Sequence, residues 1–235
     1  MDASGYVTLS RQSGLLSQMN AIANNIANAS TTGFKREGTI FAEFVSAGGD
    51  GSSLSMGFAN TRAVDLQQAP VSATGGTFDF AVEGTGFFLV QTPQGQKLTR
   101  AGSFTPGADG TLQTADGNAL LDASGSAIMI PPGAQNIGLA QDGSLSADGA
   151  PLAKLGLWAP TDPLTLTHEQ GALFSASGYQ PGEGIILQGH LEDSNVDPVS
   201  EVAKMISVQR AYELGQSFLD REDDRTRAVI QTLGR

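Results

Sequence analysis

Ala23-Asn24-Asn25-Ile26-Ala27-Asn28-Ala29-Ser30-Thr31-Thr32-Gly33-Phe34-Lys35 is the stretch that decides the fold. It closes an apolar-periodic helix and turns the chain out of it. Asn24, Asn25 and Asn28 fall close together, although Asn is a mediocre helix former whose short amide competes for nearby backbone groups. Each is therefore expected to be exposed or engaged across a contact. Gly33 suits the left-handed backbone that ends a helix or opens a turn.

Upstream, apolar residues keep helical spacing from Tyr6 to Ala29. Leu15, Met19, Ile22 and Ile26 step by four, three and four, and Leu9, Leu16 and Ala23 add an adjacent row. Arg11 is the one charged residue in that span, and the polar face holds Ser, Gln and Asn. Such a face suits contact with other protein. An ordinary amphipathic helix packed on its own domain is the alternative.

The far end mirrors this one. Asp197-Pro198 is a strong helix start, with an N-cap acid and Pro at the first position, and Glu201 favours the positive end of the dipole. The helix runs to about Leu233, on the order of 50 Å. Its heptad row is Met205, Val208, Tyr212, Gly215, Leu219, Glu222, Thr226, Val229 and Leu233, interrupted by Gly215, Glu222 and Thr226. Isolated helices of this kind are marginal in water. The two ends are therefore expected to pair as a coiled coil, parallel or antiparallel, and to pack on further copies.

Between them, residues 35–75 read as an extended connector, with a flexible loop at Gly48 to Ser53 and a strand near Thr61 to Leu66. From Phe78 the chain reads all-β. Asp-Gly pairs at 109–110, 116–117, 142–143 and 148–149 mark tight hairpins. The segments Asp109 to Gly117 and Asp142 to Gly149 look like one hairpin unit used twice. Later strands are expected at Ile128 to Ile130, Ala153 to Trp158 and Gly184 to Leu191. The fold class is α+β: terminal helices around a central all-β domain. The divisions are 1–34, 35–75, 76–194 and 195–235.

Composition narrows the function. The 235 residues include no Cys, which excludes disulfides and thiol chemistry. The net charge of −11 argues against nucleic acid as a partner. Residues 46–194 carry −10 of it, leaving both ends near neutral. No basic leader with an apolar run opens the chain, and no window reaches transmembrane length. No cleaved signal peptide and no membrane insertion are expected. Gly84-Thr85-Gly86 leads into a β run and not a helix, so phosphate-cradling geometry is missing. The turn aspartates lack calcium-ligand spacing. His168 and His190 have no helical partner for zinc. No catalytic residue, metal site or cofactor is assigned.

Several blocks resemble the flagellar rod and hook axial proteins. Ala23 to Lys35 resembles their N-terminal signature, and Gln209-Arg210-Ala211-Tyr212-Glu213 their C-terminal one. Gly189-His190-Leu191-Glu192-Asp193-Ser194-Asn195-Val196-Asp197-Pro198 resembles their approach to the C-terminal helix. Asp79 to Phe88 and Leu98-Thr99-Arg100-Ala101-Gly102-Ser103-Phe104 resemble the opening of their β domain.

The resemblance implies a structural subunit of the basal-body rod, with terminal helices in an inner tube and the acidic β domain outward. It would be exported by the flagellar type III apparatus and transmit torque across the periplasm. Its partners would be copies of itself and other rod proteins. The short length points to a proximal-rod member. A distal-rod member stays open, as does a soluble binding module with a helical stalk. The residues expected in subunit packing are Leu15, Met19, Ile22, Asn24, Asn25, Ile26, Asn28, Gly33, Phe34, Met205, Val208, Gln209, Arg210, Tyr212 and Leu219.

Overall fold

The computed structural model describes the backbone of residues 3–47 and 53–233, and the side chains of residues 8–40, 62–229 and 231. Most of the loop expected at Gly48 to Ser53 lies outside the described residues. The chain compacts into two units. One gathers the described residues 3–27, 37–47, 53–63 and 197–233; the other gathers residues 28–36 and 64–196.

The first unit holds α1 (Ala3–Ala27), β1 (Glu37–Ala47), β2 (Ser53–Val64) and a long C-terminal helix, α2 (Pro198–Leu233). β1 and β2 form a two-stranded sheet. Residues 35–75, expected as a connector, thus contain ordered strands. α2 starts where Asp197-Pro198 predicts: Asp197 Oδ1 accepts the Val199 amide at 3.1 Å, and its Oδ2 accepts the Ser200 hydroxyl. α1 and α2 pack side by side and antiparallel. Asn25, near the end of α1, meets Glu201 at the start of α2, while Gln12 meets Tyr212 farther along.

Burial on α2 follows the heptad row as far as Glu222, beyond which Thr226 and Val229 are exposed. Val208 is buried, and Met205, Tyr212, Gly215, Leu219 and Glu222 are half-buried. α1 departs from its expected stripe. Leu15, Met19 and Ile26 are half-buried and Ile22 is buried, but Leu9 is 57% exposed, Leu16 is 44% exposed and Ala23 is exposed. The buried arc widens instead toward Ala21 and Asn25, because β1 packs on that flank.

The second unit is all-β. Its first strands are β3 (Val71–Ala73), β4 (Phe80–Gly84), β5 (Phe88–Thr92), β6 (Gly95–Thr99), β7 (Thr105–Pro106), β8 (Leu112–Gln113) and β9 (Ala119–Leu120). Then come β10 (Ile137–Leu139), β11 (Ser144–Ala147), β12 (Ala150–Lys154), β13 (Trp158–Pro160), β14 (Thr167–His168), β15 (Leu173–Ser175), β16 (Tyr179–Pro181), β17 (Gly184–Gln188) and β18 (His190–Glu192). A seven-stranded sheet runs β14-β15-β6-β5-β9-β8-β7. β10-β11-β12 form a meander, and β4 pairs with β17 and β3 with β18. Of Ile128 to Ile130, Met129 alone makes a bridge, an isolated one to Thr111, and Gly189, at φ +72°, splits the run expected from Gly184 to Leu191. β5 organises the core because its side chains alternate. Phe88 and Val90 face Phe80, Leu112, Leu120 and Leu145, while Leu89 sits with Phe87, Leu98 and Phe174 on the other side.

The Asp-Gly turns place the strands. Three of the four expected pairs form three-residue loops rather than two-residue turns, and their fold is repeated. At 107–111 the Gly110 amide donates to Gly107 O at 2.9 Å and the Gly107 amide to Thr111 O at 2.8 Å. Residues 114–118 and 140–144 repeat this pattern. A type I turn with Gly in the left-handed position gives that geometry. Only Asp148-Gly149, with φ of +49° and +82°, forms the two-residue turn, joining Ala147 to Ala150. Asp109 and Asp142 each accept the amide and hydroxyl of the residue two positions on, Thr111 and Ser144. The repeated hairpin unit expected at 109–117 and 142–149 therefore holds for its first turn alone: β7-β8 and β10-β11 share one loop geometry, whereas the turns at 116–117 and 148–149 differ.

Candidate assembly surface

α1 leaves the first unit's buried side at Asn25, whose residue is fully buried. Its Nδ2 donates to the Glu37 carbonyl at 2.8 Å, and its Oδ1 accepts the Glu37 amide at 2.9 Å. The side-chain amide thus pairs with β1 as the peptide of a neighbouring strand would. Nδ2 also donates to Glu201 Oε2 at 3.1 Å, and Lys204 Nζ lies 2.7 Å from Glu201 Oε1. One amide therefore ties α1, β1 and α2. Leaving such a buried group unpaired would cost about 1–3 kcal/mol. Farther along, Gln12 Nε2 donates to the Tyr212 carbonyl at 3.2 Å over Gly215, where a Cβ would lie 2.6 Å from that nitrogen.

The second unit closes on residues 28–36. Thr31 caps the turn through Asn28, its hydroxyl donating to Asn28 Oδ1 at 3.1 Å. Gly33 has φ +70° and donates its amide to the Glu192 carbonyl at 2.8 Å. Phe34 is fully buried, with its ring 4.6 Å from that of His168. The Arg36 amide donates to Asn195 Oδ1 at 2.6 Å. Lys35 Nζ lies 2.6 Å from Glu192 Oε1 and donates to the Gln67 carbonyl at 2.8 Å. Arg100 NH1 lies 2.9 Å from Glu192 Oε2, and its guanidinium stands 4.8 Å from the centre of the Phe87 ring. All three charged side chains are essentially inaccessible. Burial pushes the Lys35 ammonium below its ordinary pKa even though Glu192 opposes this. Burial also lowers Arg100.

Of the residues expected to pack, the structure buries Ile22, Asn25, Gly33, Phe34 and Val208. It leaves Leu15, Met19, Asn24, Ile26, Asn28, Met205, Tyr212 and Leu219 half-buried, and Gln209 and Arg210 exposed. Asn28, Gly33 and Phe34 belong to the β unit, while the helical residues belong to the first. The sequence reading missed Lys35, Arg100, Glu192, Gln12, Glu37 and Glu201. Three of these sat inside quoted blocks. For Lys35 and Arg100, a lone charged residue within an otherwise uncharged block was the available signal; Glu192 sat beside Asp193 and gave none. Apart from Ile40 and Val229, the exposed large apolar residues described in the first unit fall in rows: Leu9 and Leu16 on α1, then Val199, Val202 and Ile206, and Leu214 and Phe218, on α2. Among the described residues, no group of His, Asp or Glu could hold a metal, and no helix is long and apolar enough to cross a membrane.

Polar groups spent on joining distant segments, beside helices with unpartnered apolar rows, define a structural protein. Its sequence matches the family profile described as "Flagella basal body rod protein" over residues 6–35 and "Flagellar basal body rod FlgEFG protein C-terminal" over residues 187–232. Residues 81–147 match "Flagellar hook protein FlgE/F/G D1 domain". The flagellar basal-body rod protein FlgF of Caulobacter vibrioides is 37% identical over 243 positions, covering 100% of this chain and 99% of the relative. FlgF of Mesorhizobium japonicum is 35% identical with the same coverage. The rod protein FlgG of Bacillus subtilis is 32% identical over 93% of this chain and 94% of its own length. The chain belongs to the flagellar basal-body rod protein family.

Proposed function

We propose that this chain is a subunit of the proximal part of the flagellar rod. It assembles helically through its terminal helices, paired as a coiled coil, with copies of itself and with other rod proteins. Full-length similarity to proteins named FlgF carries this reading. The apolar rows of the first unit support it, since contiguous exposed apolar surface marks protein contact. The contacts are heterologous, so stacking propagates as a helix and does not close into a ring. Delivery through the type III export apparatus, residence in the basal body and transmission of torque follow from the same reading. The half-buried Asn24, Met205, Tyr212 and Leu219 and the exposed Gln209 and Arg210 line the contacts.

Similarity to FlgG keeps a distal position as the second reading. The test is complementation in C. vibrioides lacking FlgF and, separately, lacking FlgG. Restored swimming only in the first strain, with the chain recovered in isolated basal bodies, supports the proximal assignment. Restoration only in the second reverses it. A stable small oligomer that is never recovered in basal bodies favours a soluble binding module.

A further inference from the structure

We propose that Asp116-Gly117 is a modification site, the pair among the described Asp-Gly turns that converts fastest to isoaspartate in the folded chain. The conversion needs no enzyme. The Gly117 nitrogen attacks Asp116 Cγ; a C–N bond forms, a C–O bond of the carboxyl breaks, and that oxygen leaves as water with the carboxyl and amide protons. Water then reopens the five-membered imide at the main-chain carbonyl. The chain afterwards runs through the former side chain, and nothing is oxidised or reduced. The step requires a protonated carboxyl that can reach the next amide and a loop that can swing while it does so.

Three of the four turns share one backbone loop, so they differ only in what holds them. In 107–111 and 140–144 the carboxylates of Asp109 and Asp142 accept the amide and hydroxyl of Thr111 and Ser144, a local clamp of the kind short acidic side chains make. The Thr111 hydroxyl, then its amide, holds the Asp109 carboxyl below its ordinary range, and the Ser144 amide, then its hydroxyl, does the same for Asp142. A carboxylate kept ionised has no oxygen ready to leave as water. In 114–118 the matching donor is spent elsewhere, because the Asn118 amide donates to Thr114 Oγ1 at 3.2 Å. Asp116 is exposed, and among the described residues its carboxylate has no hydrogen-bond partner.

The loops also differ in what anchors them from outside. The Gly110 carbonyl accepts the Ile130 amide and the Gly143 carbonyl the Leu155 amide, each at 2.8 Å. A Cβ on Gly110 would meet Ile130 O at 2.7 Å and one on Gly143 would meet Leu155 O at 2.5 Å, whereas one on Gly117 would have nothing within 4 Å. The 114–118 loop is therefore the one with room to swing. The Gly117 amide donates to Thr114 O at 2.9 Å, but the other two loops make the same bond, so it slows all three alike. In the remaining pair, the Asp148 carboxylate is held by the Asn136 amide at 2.9 Å and the Gln135 amide at 3.3 Å.

The loop joins β8 to β9, which pair through Gln113 and Ala119 and carry the fully buried Leu112 and Leu120. Isoaspartate adds one carbon to the backbone of that loop. Hairpin register depends on loop length, so a change at an exposed turn is passed to a buried pair of core residues.

The test ages the full chain at neutral pH, folded and in concentrated urea, and maps the products with endoproteinase Asp-N, which cuts before aspartate and not before isoaspartate. Mass spectrometry counts the uncut bonds before residues 109, 116, 142 and 148. In the folded chain Asp116 should convert at least fivefold faster than each of the other three, and in urea the four rates should agree within threefold. A smaller lead over any of the three in the folded chain would overturn the proposal. So would a lead in urea as large as in the folded chain, since local sequence and not the fold would then set it. Asp116→Glu keeps the charge but cannot close a five-membered imide, so it should lower the isoaspartate gathered in residues 101–154 at least twofold. An unchanged total would also overturn the assignment.

Discussion

Among the described residues, Glu192 is the one carboxylate in ion-pair contact with the Lys35 ammonium and the Arg100 guanidinium, both buried. Glu192→Leu removes the shared partner and leaves two buried cations, a change expected to cost about 3–5 kcal/mol. Urea unfolding followed by tryptophan fluorescence measures it; Trp158 lies in the same unit. A smaller loss than that of Arg100→Met would contradict the single-anion geometry. Gly33 is constrained twice. Its φ is +70°, and a Cβ would lie 2.2 Å from Ala101 N and Arg100 C. Gly33→Ala is expected to cost at least about 3 kcal/mol, since strain and overpacking add. The need for Gly33 was legible from its place after Thr31-Thr32. The backbone it approaches was not, because nothing local to residue 33 announces residue 100.

At the scale of elements, α2 was legible from Asp197 to Leu233 because cap, Pro and heptad row agree. α1 was legible as a helix, but its buried side was not: Leu9 and Leu16 look as apolar as Leu15, and the positions of α2 and β1 decide which flank is covered. Gly215 ties the two helices. Gly in a helix interior costs about 1 kcal/mol relative to Ala, yet a Cβ there meets Gln12 Nε2 at 2.6 Å. Gly215→Ala should therefore gain about 1 kcal/mol in a Gln12→Ala background and clearly less in the wild type. Thermal melts of the four chains give the coupling, and equal gains in both backgrounds would remove Gln12 from the account. Asp197 gives an acid signature. The Ser200 hydroxyl, then the Val199 amide, holds its carboxyl below the ordinary carboxylate range. A depressed folded-state pKa contributes stability above the unfolded value, about 3.9, and loses it as pH falls through the folded value. Asp197→Ala should flatten that part of the acid limb in a helix circular-dichroism titration. An unchanged acid limb would show that the cap is not titrating.

For the whole molecule, the order of helix, β region and helix could be read from periodicity and turn residues. The assignment of segments to units could not, because it depends on pairs such as Lys35–Glu192, separated by 157 positions. Phe34 and Lys35 are buried in the β unit, so a protease-resistant core should begin near residue 28 rather than near residue 75. Limited proteolysis read by intact mass checks this. A stable core lacking residues 28–36 would show that the β sheets stand without them.

The contacts between residues 33–36 and 192–195 also have a mechanical meaning. They join two of the four places where the chain crosses the boundary of the β unit, those near residues 36 and 196. Tension applied to those two ends falls first on these few bonds, and the seven-stranded sheet carries no load until they part. A pull on those ends is therefore expected to be borne first by this segment, together with the Asp65 amide on Arg36 O, and only then by the β core.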